Sequence, residues 1–273
     1  MSNQKANKDA AAETNAENIS ESTREEAKTE LQATLTSEKT SALKKYQMMV
    51  IGHTGLWSLL KYEIIMLLCN SLPGAPGYFM RKILYPRLLG SVGRGTVFGR
   101  NMTIRHPGKI HLGSNCIMDD MVVLDAKGQD NDGIKIGDNV IIARNTVVSC
   151  KGGNITIGDG SNISLNCMIH SEKNVTIGKN NLWAAYCYVI GGGNHSFDRT
   201  DIPIVQQPSH VKGIVMDDDI WLGADVRILD GTHIGQGVVI GAGALVNHDI
   251  PEFHLAAGMP ARVIRDRRNA QTD

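Results

Sequence analysis

Several things are scarce in this chain. Aromatic residues make up only 5% of the 273 residues, and Lys+Arg and Asp+Glu balance at 28 each, for a formal net charge of zero. Without a basic surplus there is no general electrostatic grip on nucleic acid, and none is expected as a partner. The five cysteines, Cys69, Cys116, Cys150, Cys167 and Cys187, are odd in number and lack C-x-x-C spacing. Neither a disulfide framework nor a structural zinc site is indicated, so no metal is expected and reduced thiols in the cytosol are the simpler reading. Long apolar runs are scarce too. The run Leu56–Cys69 is fourteen residues long and contains Lys61 and Glu63, whereas a spanning helix needs ~20 apolar residues. Residues 1–46 lack the apolar core of a signal peptide, so a cytoplasmic protein is expected.

What is present is glycine, 29 residues, and an apolar fraction of 42% that can build a core. Residues 1–46 hold almost no large apolar side chains and are expected to form a disordered polar tail. Residues 47–94 read as a helical segment: the apolar run, the break LPGAPG, then a basic amphipathic piece with Arg81, Lys82 and Arg87. Within it, 47–90 suits an interfacial element on the inner face of the cytoplasmic membrane, and equally an ordinary helical pair packed on the main domain or a partner subunit.

Beyond residue 94 a new period sets in. In MDDDIWLGADVRILDGTHIGQGVVIGAGALV the residues Met216, Leu222, Ile228, Ile234, Ile240 and Val246 each stand six after the last. That is neither the period of about 3.6 of a helix nor the period of about 2 of a strand. The phase recurs upstream in sets of three: Leu112, Met118, Leu124; Ile136, Ile142, Val148; Ile157, Ile163, Ile169; Ile177, Trp183, Val189. Between sets the spacing lengthens to twelve, nine, eight and twenty-seven, so every insertion follows a third hexad. If three hexads make one turn of a triangular coil, all insertions leave from one edge. The aliphatic residues then point into a prism whose coils pair in parallel at ~4.8 Å. The expected fold class is an all-β solenoid of about six or seven coils over residues 95–255, followed by a short C-terminal tail at 256–273. Periodicity leaves its handedness open.

The hexads IGDNVI, IGQGVV and IGAGAL, the run DIWLGADVRILDGTHIGQGVVIGAGALV and the ending HLAAGMPARVIRDR resemble the hexapeptide-repeat acyltransferases, and within them the bacterial sugar and polysaccharide O-acetyltransferases of the galactoside and maltose acetyltransferase kind. The resemblance implies a left-handed parallel β-helix, a homotrimer with active sites between subunits, acetyl-CoA as co-substrate and a saccharide acceptor.

It also implies site residues. His195, in GGGNHSFD on the loop at 190–213, stands where the family has its catalytic histidine, a residue type that can take and return a proton near neutral pH. As a plain reading it is a surface loop histidine. Asp198, Asp201 or a backbone carbonyl could orient its ring. Asn166 matches an asparagine that binds the acceptor, and reads otherwise as a corner residue in a left-handed conformation. The amide of Ala224 falls at the oxyanion-binding position. Trp221 would flank the pantetheine arm or simply line the solenoid wall. Gly241, Ala242 and Gly243 would let the arm run close to the coil, and Arg262 and Arg265 match positions that meet coenzyme A phosphates. Asn247-His248 stands where many relatives have Thr-Lys, a departure at one phosphate contact that the resemblance implies.

Other readings of the scaffold are N-acetyl transfer to an amino sugar, a γ-type carbonic anhydrase needing three convergent imidazoles, and a structural solenoid without activity.

Overall fold

The computed structural model describes residue 37 and residues 39–269. The expectation of disorder over 1–46 lies mostly outside these. Contacts divide the chain into two units, the larger of Ser41–Gly193 with Val211–Asp273, the smaller including Asn194–His210.

The larger unit opens with three helices: α1 (Ala42–Val50), α2 (Leu56–Cys69) and α3 (Gly74–Leu84). Helix α1 begins five residues before the expected boundary at 47, because the Ser41 hydroxyl accepts from the Lys44 amide at 3.3 Å and caps it. These helices cover the first coil of the solenoid. The Tyr62 hydroxyl donates to the Ile104 carbonyl at 2.8 Å. Buried Arg81 donates to the carbonyls of Phe98, Cys69 and Leu72 at 3.0, 3.0 and 2.8 Å, tying the α2–α3 turn to the coil. A guanidinium has five N–H donors and no acceptor, so burial is tolerated only where several carbonyls converge.

From Ser91 the chain winds into three sheets of seven, nine and seven strands, in which, but for the last strand of the nine, each strand pairs in parallel with those one coil before and after. The register follows the hexads. Leu112 pairs with Ile136, Ile136 with Ile157, Ile157 with Ile177 and Ile177 with Met216. The columns through Trp183 and Val189 behave likewise, and all these side chains are buried. The coil is a parallel β-helix, consistent with the left hand implied by the resemblance. It starts earlier than expected. Val92, Phe98 and Ile104 keep the spacing of six and form a first coil, so seven coils are complete before the strand His254–Gly258 opens an eighth. In that first coil Val92-Gly93 and Phe98-Gly99 stand where several later hexads have Ile-Gly. The strand Ala261–Asp266 turns back antiparallel on His254–Gly258 and closes this end.

The corners explain much of the Asn and Gly content. Asn101, Met121, Asn145, Asn166, Tyr186, Asp225 and Gly243 occupy one corner position of successive coils, and each has φ between 54° and 71°. Asparagine populates this left-handed region more readily than most residues. Cys116, Cys167 and Cys187 are buried in the wall, as their place within hexads implied.

One stability prediction arises from the cap. His106 is buried, and its ring Nε2 lies 2.9 Å from the Met48 carbonyl. Burial pushes its pKa below the usual value, assisted by Lys109 and Lys127 and opposed by the Met48 bond and Asp125. Burial lowers the pKa of His170 as well. A base with a depressed folded pKa lets the unfolded chain take up its proton first as pH falls. The stability is complete above the unfolded pKa of ~6.5 and declines as pH drops below it. Thermal melts are therefore expected to shift down between about pH 7.5 and about pH 5.5, with His106→Asn narrowing the difference.

Candidate functional site

The strand Trp221–Leu222 and the corner after it hold two of the expected residues. Leu222 points inward while Trp221 is 53% exposed on the outer face of its sheet. Across that face Trp221 pairs with Val239, Val239 with Leu255, and Leu255 with Arg265. The indole and the guanidinium thus lie on one row, three strand spacings or about 14 Å apart. Arg265 and Arg262 are both exposed on the closing strand.

At the corner, Gly223 donates to the Ile240 carbonyl at 2.8 Å, whereas the Ala224 amide has no acceptor among the described residues. Such an N–H can serve a ligand. The equivalent amides of Leu165, Ala185 and Ala242 are alike in this, so the corner geometry itself creates the donor. Gly223 is dictated by close stacking, since a Cβ there would lie 2.6 Å from the Ala242 nitrogen. Gly241, Ala242 and Gly243 form the same corner one coil later, and the space around Gly243 is open.

Asn166 sits in the left-handed corner column at φ 56°, its amide donating to the Arg144 carbonyl at 3.1 Å. The column gives this asparagine a backbone reason of its own.

In the smaller unit His195 belongs to a narrow ribbon. It bridges Ser209 antiparallel, the Ser196 amide donates to the Pro208 carbonyl at 2.8 Å, and the His210 amide donates to the Asn194 carbonyl at 2.8 Å. The His195 ring is half-buried, and its Nδ1 is shielded from solvent with no hydrogen-bond partner among the described residues. Of the candidates for orienting the ring, Asp201 is paired with Arg199. Sequence reasoning missed Gln207. It is buried, and its amide donates to the Arg199 carbonyl at 2.7 Å and accepts from the Arg199 amide at 3.3 Å.

The larger unit anchors both stems of this loop. Glu172 accepts from the Gly193 amide at 3.2 Å, and Asp230 accepts from the amides of Lys212 and Gly213 at 2.9 and 2.8 Å. The run of three glycines is thereby explained at its end, where Gly193 takes φ +75°. Glu172 also meets Lys151 at 2.5 Å, and its pKa is lowered, burial opposing and the lysine and Gly193 favouring the charge. Glu172 belongs to no recognised motif and Asp230 was not singled out within the run that carries the resemblance, so only the register across coils reveals their part in holding the loop.

Parts of the chain are similar to known proteins. The chain is 30% identical over 135 residues to a probable acetyltransferase of Mycobacterium tuberculosis, covering 50% of this chain and 45% of that one. It is 29% identical over 136 residues to a galactoside O-acetyltransferase of Lactococcus lactis, covering 48% and 62%. The crystal structure of a polysialic acid O-acetyltransferase matches with a TM-score of 0.52 at 21% identity, over 64% of this chain and 84% of that one, a likeness of fold. Over about half its length the chain is thus similar to proteins named as acetyltransferases. No family model matches it. Its matches span 45% and 62% of the two curated relatives' own lengths. Among the described residues, no three His, Cys, Asp or Glu side chains group so as to hold a metal ion. No helix among them is long and apolar enough to cross a membrane.

Proposed function

We propose that the protein is an acetyl-CoA-dependent O-acetyltransferase acting on a saccharide hydroxyl. The observation that carries this reading is the row Trp221, Val239, Leu255, Arg265, which begins three residues before the unpaired Ala224 amide. An exposed indole, a free N–H at a tight corner and two exposed guanidinium groups fit the arm, the thioester carbonyl and the phosphates of coenzyme A. His195 is the general base in this reading. Its imidazole takes the acceptor's hydroxyl proton as the oxygen attacks the thioester carbon. The Ala224 amide stabilises the resulting oxyanion, the C–S bond breaks, and the imidazolium returns the proton to the departing thiolate. Asn166 binds the acceptor in this reading.

A trimer with sites between subunits is part of the proposal. Interrupted only by Asn162, the outer column Ile117, Ile141, Leu182, Trp221, Val239 is apolar, and so, interrupted by Arg227, is the column Val123, Val147, Met168, Tyr188, Leu245; the third sheet presents His111, Lys135, Thr156, Thr176 and His233, with Val215 among them. Two apolar faces and one polar face suit side-by-side packing of copies.

Calorimetric titration with acetyl-CoA tests the reading, followed by a mass-shift screen of acceptors. Products that lose their added mass in mild alkali are esters, and stable ones are amides, which separates O- from N-transfer. Arg265→Glu puts a carboxylate where a phosphate is expected and should weaken acetyl-CoA binding about tenfold or more. Unchanged affinity would remove Arg265 from the site. No heat at all with the wild type would remove the whole reading.

A further inference from the structure

Helix α2 is apolar on both sides but covered on one. Tyr62, Ile65 and Cys69, at helical spacing, are buried in the cap over the first coil. The opposite stripe, Leu56, Leu60, Ile64 and Leu67 with Trp57 and Leu68, stands in solvent. Trp57 is 83% and Leu67 85% exposed. Helix α3, packed against α2, adds Phe79 and Ile83, both more than half exposed. Single exposed apolar residues are ordinary, but a contiguous set of this size marks a surface that meets something.

The charge around the set is one-sided. Between residues 47 and 90 the basic residues are Lys61, Arg81, Lys82 and Arg87, and the sole acidic residue is Glu63, which already accepts from the Tyr46 hydroxyl at 2.7 Å. Arg81 is buried under three carbonyls, which leaves Lys61, Lys82 and Arg87 exposed beside the apolar stripe. The remainder of the chain compensates to a net charge of zero, so the excess is local.

We propose that the outer face of α2, with Phe79 and Ile83 of α3, docks the protein on an anionic lipid surface. The helix lies in the plane of the interface, Trp57, Leu60 and Leu67 enter the acyl boundary, and Lys61 and Lys82 face headgroup phosphates. A helix of fourteen residues is too short to span a bilayer but long enough to lie along one. The basic residues favour lipid over a second copy of the chain, because an isologous pairing of two such faces would bring two like-charged rims together. The proposal stands apart from the acetyltransferase reading, since its test reads binding and not turnover.

The test is co-sedimentation of the full chain with vesicles of phosphatidylcholine, with and without phosphatidylglycerol. Expected are binding to the phosphatidylglycerol vesicles, weaker binding to phosphatidylcholine alone, and release by salt. W57S/L67S alters two side chains that make little contact within the fold, so its melting temperature should match the wild type while vesicle affinity falls about tenfold or more. K61E/K82E should lose the preference for phosphatidylglycerol, and serves also if W57S/L67S proves unstable. Failure of the wild type to bind, or equal binding by W57S/L67S, overturns the proposal. So does a drop in the oligomeric state of W57S/L67S by light scattering without vesicle binding by the wild type, which would assign the face to a second copy.

Discussion

His195→Ala is expected to lower kcat/KM for acetyl transfer by about 10²–10⁴-fold, the range for removal of a general base, with no change in melting temperature. The second half of this expectation rests on the loop's own bonding. The ribbon is held by the Ser196–Pro208 and Asn194–His210 backbone bonds and by buried Gln207, and the His195 Nδ1 contributes no hydrogen bond among the described residues. Truncating the ring therefore removes chemistry rather than structure. His195→Gln keeps comparable bulk and hydrogen-bonding capacity but cannot shuttle a proton near neutral pH, and should be nearly as impaired. Measuring the kinetics at saturating acetyl-CoA separates the two parts of the site. Loss in kcat with acetyl-CoA affinity retained supports the base, whereas full activity in either variant sinks it.

Trp183→Ala is expected to cost about 3–5 kcal/mol in stability, read as a lower urea midpoint. Trp183 is 1% exposed and occupies an inward column between Ile163 and Leu222 of the adjoining coils. A solenoid coil contacts only its neighbours, so the void cannot be filled from elsewhere in the core. The indole Nε1 is buried without a hydrogen-bond partner among the described residues, which subtracts about 1–3 kcal/mol from what its burial contributes. Trp183→Phe removes that orphaned donor together with part of the ring and should cost clearly less than alanine. Equal losses for the two variants would mean the cavity is not the dominant cost. A loss for alanine below about 1 kcal/mol would mean that the coil collapses around the gap.

Much of the solenoid was legible in the spacing of its hexads. The inward columns through Leu112, Met118 and Leu124 continue for coil after coil because each hexad spends a fixed number of residues on one strand and one corner. The edge of departure was legible too, since Ile228 to Ile234 needs no insertion whereas Val189 to Met216 carries a whole loop at the same corner. The first coil was not, because Val92 and Phe98, not isoleucine, stand before its glycines Gly93 and Gly99. Of the candidate site, Trp221, Ala224, Arg262 and Arg265 were named through the resemblance. Glu172, Gln207 and Asp230 were not, because their partners lie across coils or within a loop that has no period.

Hexad phase alone determined which side chains point inward, where the loops leave, and that Asn and Gly turn the corners, since each depends on backbone geometry repeating within a few residues. Only the tertiary structure decided which side of α2 is covered, because a helix apolar on both faces carries no periodic signal to choose between them. It likewise decided that Trp221 and Arg265, forty-four residues apart in sequence, share one row. That row exists because the terminal strand folds back antiparallel, and its register is set by pairing across the sheet rather than by any local pattern.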